Sequence, residues 1–342
     1  MLKWDHWHIE PSSRCTLKCP RCPRAEVPES LLNQSLTLDF FVNQVGSLTI
    51  KQIRKITFCG NDGDPIYCPE LVEICRWIKS ENPLCHLHII TNGSYRKPEW
   101  WENLANVLNV YDQVTWSIDG WDQQSNEQYR VNCDWDSIIE GIDTFRKHNT
   151  STFRTWATIA FRFNEYQLHI IQKLAQNMQF DLFQLTKSTK FASRYPTIYQ
   201  GQDTLEPLQK DLIAGGHRFE RSTVKLSNKA QPSSELKPLF IKRAQDLAKH
   251  STHSGICLIG NKGVFVNSQG EFYPCCWVAN RYEHNQFWHT LAGTKFNLNH
   301  RSFTDIINDP YWQTEFLKFD SLECTTKCTR EKLQDREHTT EW

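Results

Sequence analysis

Cys15-Thr16-Leu17-Lys18-Cys19-Pro20-Arg21-Cys22 places three thiols within eight residues. The segment before it, Trp7-His8-Ile9-Glu10, has the aromatic and branched residues of a short strand, so the cysteines fall in the loop that leaves it. Thiolates this close along a loop can converge on one metal centre. Structural zinc wants four closed ligands, and three is the wrong count. Three cysteines suit a [4Fe–4S] cluster with one iron left open to an outside ligand; zinc binding, or cysteines gathered by chance, is the competing reading.

Outward from this loop, strand and helix patterns alternate. Strands are expected at residues 55–58, 86–91, 113–118, 155–161 and 181–186, with helical patterns at 38–48, 69–80, 98–109, 136–147 and 167–178. Strand, helix, strand in repetition predicts a parallel sheet with crossover helices. The fold class is α/β, and six such units make a full or partial (β/α)6, TIM-like barrel whose reactive residues gather at the C-terminal strand ends. Residues 188–231 break the rhythm with Pro196, Gly201, Pro207, Gly215 and Gly216 and are expected to hold little regular structure. A helix is expected at 234–249, then short strands, a turn at Asn267-Ser268-Gln269-Gly270 and a second group of cysteines. The expected organisation is a core at 1–187, a connector at 188–250 and a small Cys-rich domain at 251–342.

Composition narrows the class. The 342 residues are 39% hydrophobic and 23% charged, which is ordinary for a globular protein. Lys+Arg and Asp+Glu both number 39, so the formal net charge is zero and a nucleic-acid partner is not expected. The N-terminus opens with charge and aromatics rather than an apolar signal, and no run reaches the length of a membrane span. The expectation is a cytoplasmic protein without a membrane partner. In a reducing compartment its 13 cysteines are metal ligands, catalytic groups or small core residues rather than disulfides.

The CxxxCxxC loop after the first strand resembles that of the radical S-adenosylmethionine (SAM) superfamily, and the resemblance runs over residues 6–186. In that family the three cysteines hold the cluster and SAM chelates the fourth iron. Cys15, Cys19 and Cys22 are thereby implied as cluster ligands and catalytic residues. Phe58-Cys59-Gly60-Asn61-Asp62-Gly63-Asp64-Pro65 resembles the glycine-rich motif whose backbone meets the SAM amino group, where a Cβ would block close approach. Thr91-Asn92-Gly93 ends the third strand as the family's Thr-Asn-Gly does. Ser117-Ile118-Asp119-Gly120 ends the fourth, with Tyr129-Arg130 downstream. The resemblance implies SAM contacts at Gly60, Asn61, Asp62, Gly63, Asp64, Thr91, Asn92, Ser117, Asp119 and Arg130. Ser117 suits the ribose or carboxylate, and Arg130 the carboxylate. Arg21 stands where many members carry an aromatic residue against the adenine, and the glycine motif is two residues longer than its commonest form.

The second cysteine group is Cys257, then Gly270-Glu271-Phe272-Tyr273-Pro274-Cys275-Cys276, then Cys324-Thr325-Thr326-Lys327-Cys328. It reads as a hairpin with a thiol at each end and a later pair completing a four-thiolate site. This resembles the twitch domain, the shortened relative of the SPASM domain, and implies a second, auxiliary [4Fe–4S] cluster on Cys257, Cys275, Cys324 and Cys328. Cys275 fits the family spacing, with Cys276 as the alternative; a four-cysteine zinc site is the competing reading. Cys59, Cys68, Cys75, Cys85 and Cys133 are read as small buried hydrophobes.

The resemblance implies an enzyme that takes an electron from an external donor such as flavodoxin or ferredoxin, cleaves SAM reductively and abstracts a substrate hydrogen atom with the 5′-deoxyadenosyl radical. The auxiliary cluster would accept an electron from the substrate, ligate it or relay electrons. Members with auxiliary domains very often modify ribosomally made peptides, so a peptide or protein side chain is the leading substrate class. Dehydrogenation of a small sugar or aminocyclitol alcohol comes next, RNA modification third, and a structural metal-binding protein is the reading without catalysis.

Overall fold

The computed structural model describes residues 4–26, 31–186, 205–208, 221–232, 263–279 and 286–316. Strand β1 (His6–Ile9) is followed by 3-10 and π-helical turns (Pro23–Glu26, Phe40–Val45), α1 (Ser47–Ile50), β2 (Lys55–Phe58), a 3-10 turn (Pro65–Tyr67), α2 (Leu71–Glu81) and β3 (His86–Thr91). Then come α3 (Pro98–Ala105), β4 (Gln113–Ser117), α4 (Gln123–Glu127), α5 (Trp135–His148), β5 (Phe153–Ile159), α6 (Leu168–Asn177) and β6 (Leu182–Thr186). Strands β7 (Arg221–Lys225), β8 (Val264–Val266) and β9 (Phe272–Tyr273) and helices α7 (Gln286–Thr294), α8 (Phe303–Ile307) and α9 (Tyr311–Thr314) complete the order. Two compact units share them: Met1–Ser13, Asn33–Leu87 and Pro232–Trp342 form the first, Arg14–Leu32 and His88–Gln231 the second.

In the first unit the strand order is β2-β1-β8-β9. β1 runs parallel to both β2 and β8, while β8 and β9 form an antiparallel hairpin. The hairpin turns at Asn267 to Gly270, where Gly270 takes φ +74° and donates its N–H to Asn267 O. Trp7, Ile9, Ile56 and Phe58 are buried, and Trp7 meets Phe303 at 4.7 Å between ring centroids. Helix α2 buries Leu71, Ile74, Cys75 and Ile78, the spacing of one helical face.

The second unit orders its strands β3-β4-β5-β6-β7, with β7 antiparallel and the rest parallel. Trp116 of β4 stacks on Trp101 at 5.5 Å and meets Phe180 edge-on at 5.6 Å. A Cβ on Gly141 would lie 2.3 Å from the Trp101 indole nitrogen, so only glycine lets α5 approach α3 this closely. The other face of these strands is polar yet equally buried. His88 Nε2 meets Thr115 Oγ1 at 2.8 Å, and Gln113 donates to Thr155 Oγ1 at 3.0 Å. These cross-strand pairs offset the cost of burying the groups, although Gln113 Oε1 is left without a partner among the described residues.

The expected α/β class with a parallel sheet is what the chain adopts, and the sheet is open rather than closed. Two expectations fail. The helix read at 38–48 is a π-helical turn that stops at Gly46, whose φ is +80°, before the short α1. The connector at 188–231, read as irregular, contributes β7 to the sheet beside β6. Its Arg221-Ser222-Thr223-Val224-Lys225 carries the charged ends of an edge strand and too little apolar pattern to stand out. The helix read at 234–249, and the boundaries at 187 and 250, lie outside the described residues.

Candidate active site

The cysteine loop belongs to the second unit, and local hydrogen bonds fix it. Lys18 donates its N–H to Val131 O at 2.9 Å, and Asn132 Nδ2 to Thr16 O at 2.9 Å. Cys22 N donates to Cys19 O at 3.1 Å, so these two cysteines bracket one tight turn. Asn132 holds φ +66°, a left-handed conformation that Asn tolerates, which lets its side chain reach back to the loop. Cys15 and Cys22 are partly exposed and Cys19 is buried; none of the three is in a disulfide. Burial pushes the Cys19 thiol up to about 12 against the pull of Arg130, with Cys22 and Asp119 adding to the rise.

The strand ends supply the surrounding polar groups. Asp119, just past β4, is fully buried; its Oδ2 accepts from Arg130 Nε at 2.6 Å and its Oδ1 from Ile159 N at 2.7 Å. Burial works against the Arg130 charge, but Asp119 first and then Cys19 and Tyr129 more than offset it, so its pKa is raised. Arg130 is expected to pair with a SAM carboxylate; in the structure its Nε is engaged by Asp119, and its guanidinium also meets the Cys19 thiol. Asn126 and Asn164, which sequence reasoning missed, secure the same strand end. Asn126 Oδ1 accepts from Asp119 N and Gly120 N, and Asn164 Nδ2 donates to Asp119 O at 2.8 Å. A buried asparagine leaves no periodic signal; the short spacing of Asn126 to Asp119 could have pointed to it, whereas Asn164 lies 45 residues further along the chain.

At the end of β3, Thr91 Oγ1 accepts from Gly93 N at 3.0 Å, and Asn92 Oδ1 from Ser94 N at 2.9 Å. Asn92 Nδ2 lies 3.7 Å from Cys15 Sγ. Ser117 is partly exposed, and its hydroxyl makes no hydrogen bond with the described residues.

The glycine-rich loop belongs to the first unit. Glu10, another residue that sequence reasoning passed over, is buried at the exit of β1 and organises it: its Oε1 accepts from Asp62 N at 2.6 Å and Gly63 N at 3.0 Å. A Cβ on Gly63 would lie 2.0 Å from Ser12 O, and one on Gly60 2.4 Å from Gly63 O. The glycines read as leaving room for a cofactor are thus already required by the chain's own packing. Asp64 caps the following turn by accepting from Ile66 N at 3.1 Å, and Asn61 Nδ2 lies 3.4 Å from Cys276 O. Cys68, Cys75, Cys85 and Cys133 are buried as expected. Cys59 is only partly so: its Sγ lies 3.8 Å from His8 Nδ1, and burial, then Cys276, Glu10 and Asp64 push its thiol well up.

Cys275 and Cys276 follow β9 and are both partly exposed, whereas Cys257, Cys324 and Cys328 lie outside the described residues. Among the described residues no three His, Cys, Asp or Glu side chains gather around a point that a single metal ion would fill. The donor set of the cysteine loop nevertheless fits an iron–sulfur cluster: three thiols outside any disulfide, an amide N–H donor at Cys15 and a guanidinium beside Cys19, the partners that thiolate sulfur accepts. Among the described residues no helix is long and apolar enough to cross a membrane.

Comparison with known proteins bears on this arrangement. The Radical SAM superfamily model matches residues 9–165, and the model of SPASM, an iron-sulfur cluster-binding domain, matches 257–330. A curated relative, GTP 3′,8-cyclase of Pseudomonas fluorescens (strain Pf0-1), is 23% identical over 182 residues, 52% of each chain. The chain thus spans about half the length of that relative. Streptococcus suis SuiB bound to S-adenosylmethionine has a similar fold, with TM-score 0.56 and 16% identity over 99% of this chain and 73% of SuiB. Native anSMEcpe with bound AdoMet gives TM-score 0.50 and 17% identity over 96% of this chain and 87% of that one. Residues 9–165 thus carry a radical SAM domain, which implies a SAM-binding [4Fe–4S] cluster, and residues 257–330 a SPASM-type domain, which implies an auxiliary iron–sulfur cluster.

Proposed function

We propose that this protein oxidatively modifies a peptide or protein side chain by abstracting a hydrogen atom. The observation that carries the chemistry is the cysteine loop with its N–H donors; the peptide class rests on the resemblance of the C-terminal cysteines to auxiliary-cluster domains. When bound, the cluster and SAM supply one-electron cleavage of a carbon–sulfur bond and a 5′-deoxyadenosyl radical for hydrogen abstraction.

The chain's own residues do the positioning. Cys15, Cys19 and Cys22 would hold the core cluster, and Cys257, Cys275, Cys324 and Cys328 the auxiliary one. The Asp119–Arg130 ion pair fixes the end of β4, so that the free Ser117 hydroxyl is presented from a rigid strand. Ser117 would take the SAM ribose or carboxylate, and the terminal nitrogens of Arg130 the carboxylate. Glu10 holds Asp62 and Gly63 by their N–H groups, which sets the conformation of the glycine-rich loop that would face the SAM amino group. A flavodoxin or ferredoxin would supply the electron.

The test offers reduced, reconstituted enzyme deuterated candidate peptides beside deuterated sugar and aminocyclitol alcohols, and reads deuterium in 5′-deoxyadenosine. Transfer from a peptide supports the proposal; transfer only from the alcohols overturns the substrate class. Iron analysis of Cys324→Ala/Cys328→Ala runs beside it, with a fall from about eight irons to about four expected.

A further inference from the structure

Asn92 sits at the end of β3, buried, and its amide is held at both ends. Its Oδ1 accepts from Ser94 N at 2.9 Å, and its Nδ2 approaches Cys15 Sγ at 3.7 Å, within reach of a sulfur hydrogen bond. The orientation is settled by this network: turned over, the amide would set its NH2 against the Ser94 N–H. The donor therefore faces the thiol by construction. The loop side is fixed as well, since the neighbouring Thr16 O is held by Asn132 at 2.9 Å.

We propose that Asn92 is a positioning residue for the core cluster, donating its side-chain N–H to the Cys15 sulfur and raising the cluster's reduction potential. This rests on the reading of Cys15 as a cluster ligand and assigns to Asn92 a task separate from contact with SAM. The physical basis is that a reduced cluster carries one more negative charge than an oxidised one. An N–H donor on a ligating sulfur stabilises the reduced form more, so it draws the potential upward. Raising the potential eases loading of the electron that the SAM cleavage needs.

The experiment is a redox titration of the anaerobic, SAM-free holoprotein followed by electron paramagnetic resonance. The core signal is identified as the one absent from the Cys15→Ala/Cys19→Ala/Cys22→Ala variant. Asn92→Asp keeps the acceptor for Ser94 N, removes the donor and sets a negative charge toward the sulfur. Asn92→Leu removes both donor and acceptor without adding charge. The midpoint should fall in both, by about tenfold in the reduction equilibrium for Asn92→Leu, which is about 59 mV for one electron, and further in Asn92→Asp. Unchanged midpoints in two variants that assemble the cluster would overturn the proposal. Failure of both to assemble it would also do so, showing that Asn92 serves folding instead. Absence of the core cluster from the wild type would strike the reading of Cys15, a distinguishable failure.

Discussion

Asp119→Asn should be among the most damaging single changes outside the cysteines. The native carboxylate answers a guanidinium whose side chain is 16% exposed, at 2.6 Å, and is itself 0% exposed. The replacement amide can still accept from Ile159 N but must turn its NH2 toward Arg130, which leaves a buried cation without a counter-charge. Breaking a buried pair from one side costs about 3–5 kcal/mol, or two to four powers of ten in the folding equilibrium. Arg130→Met should cost less, because a stranded carboxyl can take up a proton whereas a guanidinium cannot release one. Burial already raises the Asp119 pKa, with Arg130 and the hydrogen bond from Ile159 N opposing that rise. Without Arg130 the rise grows. An acid whose folded pKa lies above its unfolded one stabilises fully below the unfolded value, and loses that contribution as pH climbs through the folded pKa. The deficit of Arg130→Met should therefore widen from about pH 4, the ordinary Asp range, to neutral pH. Urea denaturation at both pH values, on protein matched for iron content and with the double variant closing the cycle, checks this. Asp119→Asn within about 0.5 kcal/mol of wild type, or a pH-independent deficit in Arg130→Met, would refute the reasoning.

Gly63→Ala should destabilise by about 3 kcal/mol or more in thermal or urea unfolding, since its Cβ would lie 2.0 Å from the Ser12 carbonyl and backbone cannot swing aside. Gly293→Ala is the milder contrast: in helix α7 its Cβ would meet, among the described residues, Glu271 Oε1 at 3.2 Å, a carboxylate whose other oxygen is held by Asn267 and Tyr273, so the tight contact offsets the gain in helix propensity and stability should stay within about 1 kcal/mol of wild type. Asp309 accepts from Lys295, Arg301 and Tyr311 N at 2.9 to 3.0 Å, and although burial alone would raise its pKa these partners lower it. A depressed acid stabilises above its unfolded pKa and loses that contribution as pH falls, so Asp309→Asn should be weaker than wild type at neutral pH, with the gap closing below about pH 4.

The strands were legible because their branched and aromatic residues fall in short runs: residues 55–58 and 86–91 coincide with β2 and β3. Their polar alternation would read as half-exposed, yet Gln113, Thr115 and Thr155 are buried and paired across strands, a tertiary effect without a local sign. Helix α4 escaped notice because Gln123-Gln124-Ser125-Asn126-Glu127 has no apolar stripe; its start is fixed by the Asp122–Ser125 capping box. Within the site, the cysteines announced themselves by spacing. Arg130 and Asp119 were both read as cofactor contacts, and their ion pair with each other was not foreseen, because sequence order does not show which side chains face each other. Glu10, which accepts from two backbone N–H groups, and Asn92, which was named for a different contact, bond to backbone and sulfur in ways that no periodicity records.

The most direct measurement is 5′-deoxyadenosine formed from SAM by the anaerobically reconstituted, strongly reduced protein, beside Cys15→Ala/Cys19→Ala/Cys22→Ala. The account predicts steady release by the wild type and none above background by the variant. A wild type that leaves SAM intact under these conditions, or a variant that still cleaves it, would contradict the assignment of these three cysteines.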